Sequence, residues 1–106
     1  RFVHLMNEEK LKDSEFCFEI EYEISGFPQN LKRCFVMSGK MKKMYLKFSD
    51  IVIFDDAERT NKHGYLLVGF QVVTNENKVA TIAFGFLNGL NDENYKWVWR
   101  KFVEMT

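Results

Sequence analysis

A chain of 106 residues, 46% apolar and 28% charged, is long enough for one domain with a real core and too apolar for a disordered tail. Its fifteen basic and fifteen acidic residues cancel, so net charge by itself selects neither nucleic acid nor membrane as a partner. No apolar run approaches the roughly 20 residues needed to span a bilayer, and no charged-then-apolar leader opens the chain; the expectation is a soluble protein with no membrane partner.

The start at Arg1 rather than Met fits a processed or excised piece of a longer chain. Charge is unevenly placed along it. Seven acids face two lysines between Glu8 and Glu23, whereas Lys32 to Lys47 holds six basic residues and no acid. In the first of these segments Phe16, Phe18, Ile20, Tyr22 and Ile24 alternate with Cys17, Glu19, Glu21 and Glu23. That period of two predicts a strand with an apolar buried face and an acidic wet face. A turn over Gly26 to Asn30 then returns the chain as a second strand, Leu31 to Met37, with Lys32 and Cys34 near the acidic face. Pairing the two strands about Phe27-Pro28 sets Cys34 opposite Glu21, about 13 Å from Cys17 at roughly 3.3 Å per residue, beyond disulfide reach. Two free thiols and a reducing compartment are expected. With only His4 and His63 besides, a structural zinc site within this chain is disfavoured.

Ser38 reads as a cap for a short amphipathic helix whose apolar positions are Met41, Met44, Tyr45 and Phe48. Lys40, Lys42, Lys43 and Lys47 surround them. They form either an ordinary solvated face or a patch that contacts phosphates. Ile51-Val52-Ile53-Phe54 then predicts a strand covered on both faces and ending at Asp55-Asp56, which fixes a carboxylate at its mouth. The same pair also reads as a polar stop that opens a connection from Asp56 to Gly64. Tyr65–Val73 and Val79–Leu87 predict a hairpin about Asn75-Glu76-Asn77. Asn91 caps a closing helix with a core face of Tyr95, Val98, Trp99, Phe102 and Val103. Trp97 falls roughly 160° from the centre of that stripe at 100° per residue. It is therefore expected on the surface, against a missing layer or a partner.

The ordered series Phe35, Tyr45, Phe48-Ser49-Asp50, Ile51 to Asp55, Thr60-Asn61, the hairpin, Asp92-Glu93 and Trp97 resembles the catalytic domain of Mutator-like element transposases. Within that family it looks closest to the branch that includes the plant far-red-impaired-response transcription factors. The likeness runs from near Leu5 to Thr106. It implies an α+β chain holding part of a ribonuclease-H-like fold: three antiparallel strands then a helix, preceded by a β-hairpin and a short helix. Residues 1–49 would lead into the domain and residues 50–106 would be the first half of its core. Asp55 takes the place of the first acid of an Asp-Asp-Glu triad, a catalytic residue and metal ligand for magnesium or manganese. Two such ions about 3.5–4 Å apart activate the attacking oxygen and stabilise the leaving one, so several carboxylates are needed.

The other two acids of that triad would lie beyond Thr106, because Asp92 and Glu93 match the start of the family's first helix and suit its N-terminal dipole. The metal is thus expected only in the complete domain, and the 106 residues alone are expected to be inactive. Asp55-Asp56-Ala57 also departs from the family's usual small polar pair after the first acid, which is compatible with a lapsed catalytic role. The resemblance implies DNA as partner, Lys40, Lys42, Lys43, Arg59 and Lys62 as candidate phosphate contacts, the remainder of the domain or a partner over Trp97, and a nuclear location. An oligomer is compatible with it. Three functions stay open: a fragment of a DNA transposase that cleaves and joins strands, a domesticated non-catalytic platform that binds DNA or protein, and an unrelated α+β interaction module.

Overall fold

The computed structural model describes residues 2–23, 31–59, 65–89 and 91–106, with backbone alone at 2, 3 and 56–59. The elements in chain order are α1 (Phe2–Lys12), β1 (Cys17–Tyr22), β2 (Leu31–Met37), α2 (Gly39–Lys47), β3 (Val52–Arg59), β4 (Leu66–Val73), β5 (Val79–Leu87) and α3 (Asp92–Met105). The five strands make one sheet in the order β1-β2-β5-β4-β3, and all four pairings are antiparallel. The three apolar strands β3, β4 and β5 form the expected antiparallel unit. The preceding hairpin widens it by pairing β2 with β5. The expected turn from Gly26 to Asn30 lies outside the described residues.

Local chemistry sets the boundaries. Ser38 caps α2 by accepting from the Met41 backbone nitrogen, and Asn91 caps α3 by accepting from the Asn94 backbone nitrogen. Asp13 adds a carboxylate at the start of α2, where its Oδ2 accepts from the Gly39 nitrogen at 2.8 Å and complements the helix dipole. Asn77, at φ 59°, makes the β4–β5 turn in the left-handed region that Asn tolerates. α1 was not expected. Its Leu5 and Leu11 are exposed, so no apolar stripe marked it.

Both α2 and α3 pack on one face of the sheet. The cluster there includes Phe35, Met37, Val68, Phe70, Val72, Ile82, Trp97, Val98 and Phe102, with Met41, Met44, Tyr45 and Phe48 of α2 against it. Phe70 is its centre: its ring stacks on Phe102 at 4.3 Å and meets Trp99 edge-on at 4.8 Å and Phe54 at 5.2 Å. Strand alternation then sends Cys34, Ile53, Asp55, Leu67, Gly69, Gln71, Phe84 and Phe86 to the opposite face, which carries neither α2 nor α3.

Several expectations about this layout are corrected. Strand β3 does not end at Asp55 but runs on to Arg59, because Asp55 and Asp56 pair with Gly69 and Val68. Nor is it covered on both faces: it is an edge strand, and Ile53 is 38% exposed. In the hairpin Cys34 stands opposite Ile20, and Arg33 takes the place opposite Glu21. The two cysteines remain free, and burial pushes the Cys34 thiol up to about 11 despite a hydrogen bond at Phe86.

A further correction concerns Trp97, which is buried at 2% exposure by this chain's own hairpin rather than by a partner. Glu19 and Glu21 lie on the helix side of β1, not on a wet face. Glu21 Oε2 accepts from Trp97 Nε1 at 2.9 Å, while its Oε1 receives Arg33 Nη2 at 2.7 Å. The Arg33 guanidinium also sits 4.9 Å from the centre of the Trp97 ring. With two extra strands the sheet is roughly 10 Å wider, so α3 is covered along the side that a three-stranded sheet leaves bare. The buried positions of α3 are accordingly Asn94, Trp97, Val98 and Phe102, whereas Tyr95 and Val103 are 44% and 69% exposed.

This seam predicts acid sensitivity. Burial acts to raise the Glu21 carboxyl, but hydrogen bonds from Arg33 and Trp97 and the charges of Arg33 and Lys32 outweigh it and hold the group below its ordinary value of 4.5. The stabilisation is therefore present above pH 4.5 and is lost as pH falls through the lower folded value. Urea unfolding at pH 7 and pH 3 should show the wild type more stable than Glu21→Gln at pH 7, with a narrower gap at pH 3. An equal gap at both values would remove the seam from the acid response.

Candidate functional site

The site grows from the alternation of β3. Val52 and Phe54 point into the helix layer, where Phe54 meets Tyr95 at 5.3 Å and Trp99 at 5.5 Å. Ile53 and Asp55 consequently point the other way. Asp55 is exposed. Across from it stands Gly69, and across from Gly69 stands Phe84. The missing side chain at Gly69 opens a trough of about 440 Å³, lined by Asp55, Leu67, Val68, Gly69, Gln71, Thr81, Phe84 and Phe86. The carboxylate and the polar ends of Gln71 and Thr81 are its oxygen donors. Its walls are otherwise apolar.

Among the described residues no cluster of three or more His, Cys, Asp or Glu could hold a metal ion. One exposed carboxylate beside an amide and a hydroxyl does not fit a pair of magnesium ions, which require several carboxylates. Asp55 lies on the strand at the edge of the sheet among the described residues, and these residues do not complete a metal centre.

The candidate phosphate contacts are not gathered around it. Lys40, Lys42 and Lys43 are on α2, across the sheet from Asp55. Lys40 and Lys43 are exposed and Lys42 is half-buried. Lys62, the side chain of Arg59 and the Thr60-Asn61 pair lie outside the described residues. The sequence reading also missed the group that joins the hairpin to α3. There Arg33, only 7% exposed, donates from Nη1 to Glu93 Oε1 at 3.2 Å and to Asn94 Oδ1 at 3.1 Å. Lys32 reaches the same Glu93 oxygen at 3.0 Å and is the chief reason its carboxyl is held below the ordinary value. The signal for this group was present in the mixed charge of β1 and β2. Every member is paired, which marks it as structural.

Three antiparallel strands, β3 to β5, followed by α3 are consistent with part of an RNase H-like α+β domain. The family model of the RNaseH-like domain of zinc finger SWIM domain-containing protein 1/3 matches residues 9–106, and the chain belongs to that family. No curated protein and no solved structure matches it. Family membership sets aside an unrelated fold.

Proposed function

We propose that the chain is the amino-terminal half of an RNase H-like domain of the DNA-transposase kind, related to Mutator-like element transposases and their far-red-impaired-response branch. In the complete protein it would work on DNA in the nucleus. The observation that carries this reading is the placement of Asp55. It projects from β3 into open space, and the outer edge of β3 has no strand partner among the described residues. A strand added at that edge would bring a second acid alongside Asp55, and a carboxylate from a later element would approach over the helix-free face. Magnesium or manganese held there would supply the activated oxygen that strand cleavage needs.

Within this chain, Asp55 contributes a fixed anionic ligand. Leu67, Phe84 and Phe86 form the apolar wall of the trough beside it, and Gln71 and Thr81 would offer hydrogen bonds to water or sugar. The test is Asp55→Asn in the intact protein, read by manganese binding in calorimetry and by nicking of supercoiled plasmid. Wild type should bind the ion and nick. The variant should lose more than the roughly 10–100-fold that even an outer-shell metal partner is worth. Full activity in Asp55→Asn, or metal-dependent nicking by the 106 residues alone, would defeat the catalytic reading.

The single acid and apolar walls of the trough favour a second reading, a domesticated platform that keeps the fold and binds DNA or protein without cutting. Wild-type protein that binds duplex DNA yet takes up no manganese and leaves plasmid intact would establish it over the first.

A further inference from the structure

We infer that the outer surface of the helix layer, Lys40, Lys43 and Lys47 of α2 with Lys96 and Arg100 of α3, docks a nucleic-acid backbone on the side of the sheet opposite Asp55. The inference rests on the reading that this domain works on polynucleotides. It departs from the expectation that basic residues and acid share one site.

Three observations carry it. The first is direction. On α2 the residues packed against the core are Met41, Met44, Tyr45 and Phe48. At 100° per residue Lys43 lies about 150° from the middle of that stripe, while Lys40 and Lys47 lie roughly 90–110° from it on one flank and Lys42 a similar angle away on the other. Lys40, Lys43 and Lys47 are exposed. On α3 the buried arc of Asn94, Trp97, Val98 and Phe102 turns Lys96 directly away from the sheet and Arg100 about 135° from the middle of the arc, and both are exposed. Tyr45 and Phe102 touch at 5.4 Å, so the two helices meet over the sheet at that point.

The second observation is the state of the charges. Other lysines and Arg33 are committed: Lys12 to Glu9, Lys32 and Arg33 to Glu93, Lys78 to Glu76, and Lys101 to Glu19 and Glu104. None of these five exposed cations, Lys40, Lys43, Lys47, Lys96 and Arg100, makes an ion pair with a described residue, although Lys47 lies over the Phe48 ring at 5.4 Å. Asp50 and Asp92 flank the surface without pairing to it. The neutral total of fifteen acids and fifteen bases thus conceals a surface on which five exposed cations have no ion-pair partner among the described residues, with Asp92 one turn from Lys96 and Glu104 one turn from Arg100.

The third is chemistry. The surface offers four lysines and one arginine. Lysine is depleted at protein interfaces but serves phosphate as a mobile point charge. The i, i+3, i+7 spacing on α2 sets the three ammonium groups along about 10 Å of helix at 1.5 Å per residue, a line suited to successive phosphates. A backbone held there is more than one helix diameter, roughly 10–12 Å, from the sheet and hence from Asp55. Anchoring and acid chemistry are therefore separate.

The test is fluorescence anisotropy of the intact protein with a labelled 20-base-pair duplex between 50 and 200 mM NaCl, circular dichroism confirming each variant's fold. Each lysine–phosphate contact adds about 0.9 to the slope of log affinity against log salt. Lys40→Gln/Lys43→Gln/Lys47→Gln should therefore flatten the slope by about 2.7, and Lys96→Gln/Arg100→Gln by about 1.8. The triple arginine variant at positions 40, 43 and 47 should keep the slope, and Lys78→Gln on the far turn should not alter it. If wild type binds and the triple glutamine variant keeps its slope, the backbone docks elsewhere; the surface is overturned while the polynucleotide reading stands. Wild-type protein with no duplex binding at 50 mM NaCl would remove both. Displacement of the duplex by polyglutamate of equal charge would assign the surface to an acidic protein and overturn the inference.

Discussion

Trp97→Ala is expected to cost about 3–5 kcal/mol, the range for deleting a large buried aromatic. A domain of this size has only about 5–15 kcal/mol to lose. The side chain combines three roles. It fills the space between α3 and the β1–β2 hairpin, its Nε1 satisfies Glu21, and its ring carries Arg33 and Lys101 at 4.9 and 5.8 Å. Truncation leaves a cavity and removes one of the donors that hold Glu21 as a carboxylate. Trp97→Phe should cost less, since a ring remains under Arg33 while the hydrogen bond to the charged oxygen, worth about 1.5–3 kcal/mol, is lost. Urea midpoints of the two variants give the measurement. A Trp97→Ala protein within about 0.5 kcal/mol of wild type would behave as a surface substitution does and would contradict the burial described here.

That residue also shows where the sequence stopped being legible. The period of two in β1, the apolar runs of β4 and β5 about their turn, and the Ser38 and Asn91 caps are local signals, and each element they predict is present. Which side of an element is buried is decided by its neighbours. Counted against three strands, α3 has a core stripe through Tyr95 and Val103. Against five strands the stripe rotates to Asn94, Trp97 and Lys101, because the hairpin supplies a second half of the platform. The acids of β1 misled for the same reason. Glu19 and Glu21 look solvated until Arg33 and Lys101 are placed beside them, and a paired carboxylate can then face inward.

The site was legible in part. Asp55 was visible from the apolar run before it and does lie on the strand at the edge of the sheet among the described residues. Its position within the strand was not, since a strand that carries charge at Asp55 and Asp56 continues only because β4 is there to accept its hydrogen bonds. The separation of Lys40 and Lys43 from Asp55 was likewise hidden. Sequence distance, fifteen residues from Lys40 to Asp55, says nothing about which face of a sheet a helix covers. The Arg33 group escaped because its four principal residues come from β1, β2 and α3.

Gly85→Ala should be the most damaging small substitution in the sheet, whereas Gly69→Ala, one strand away, should be tolerated. A Cβ at Gly85 would stand 2.4 Å from the Cys34 carbonyl oxygen, with the Cys34 carbonyl carbon at 3.5 Å and the Phe35 Cα at 3.7 Å. All three atoms are backbone, so no side-chain rotation relieves the clash. The strands must part, and the seam that opens is β2–β5, among the described residues the only direct strand pairing between the hairpin and β3–β5. The cost is expected at or above the top of the roughly 1–3 kcal/mol usual for overpacking. It should be accompanied by a red shift of tryptophan emission, because a displaced hairpin uncovers Trp97. At Gly69 the nearest atom to a new Cβ is the Ala83 carbonyl oxygen at 3.9 Å, an ordinary contact. Alanine there also recovers the roughly 0.5–1 kcal/mol that glycine forfeits in a strand, so stability should hold or rise slightly. Since Gly69 floors the trough between Asp55 and Phe84, Gly69→Ala narrows that space without loosening the fold. Thermal unfolding of the two variants side by side decides the matter: equal losses in both would mean that β2 and β5 do not approach as closely as the register requires.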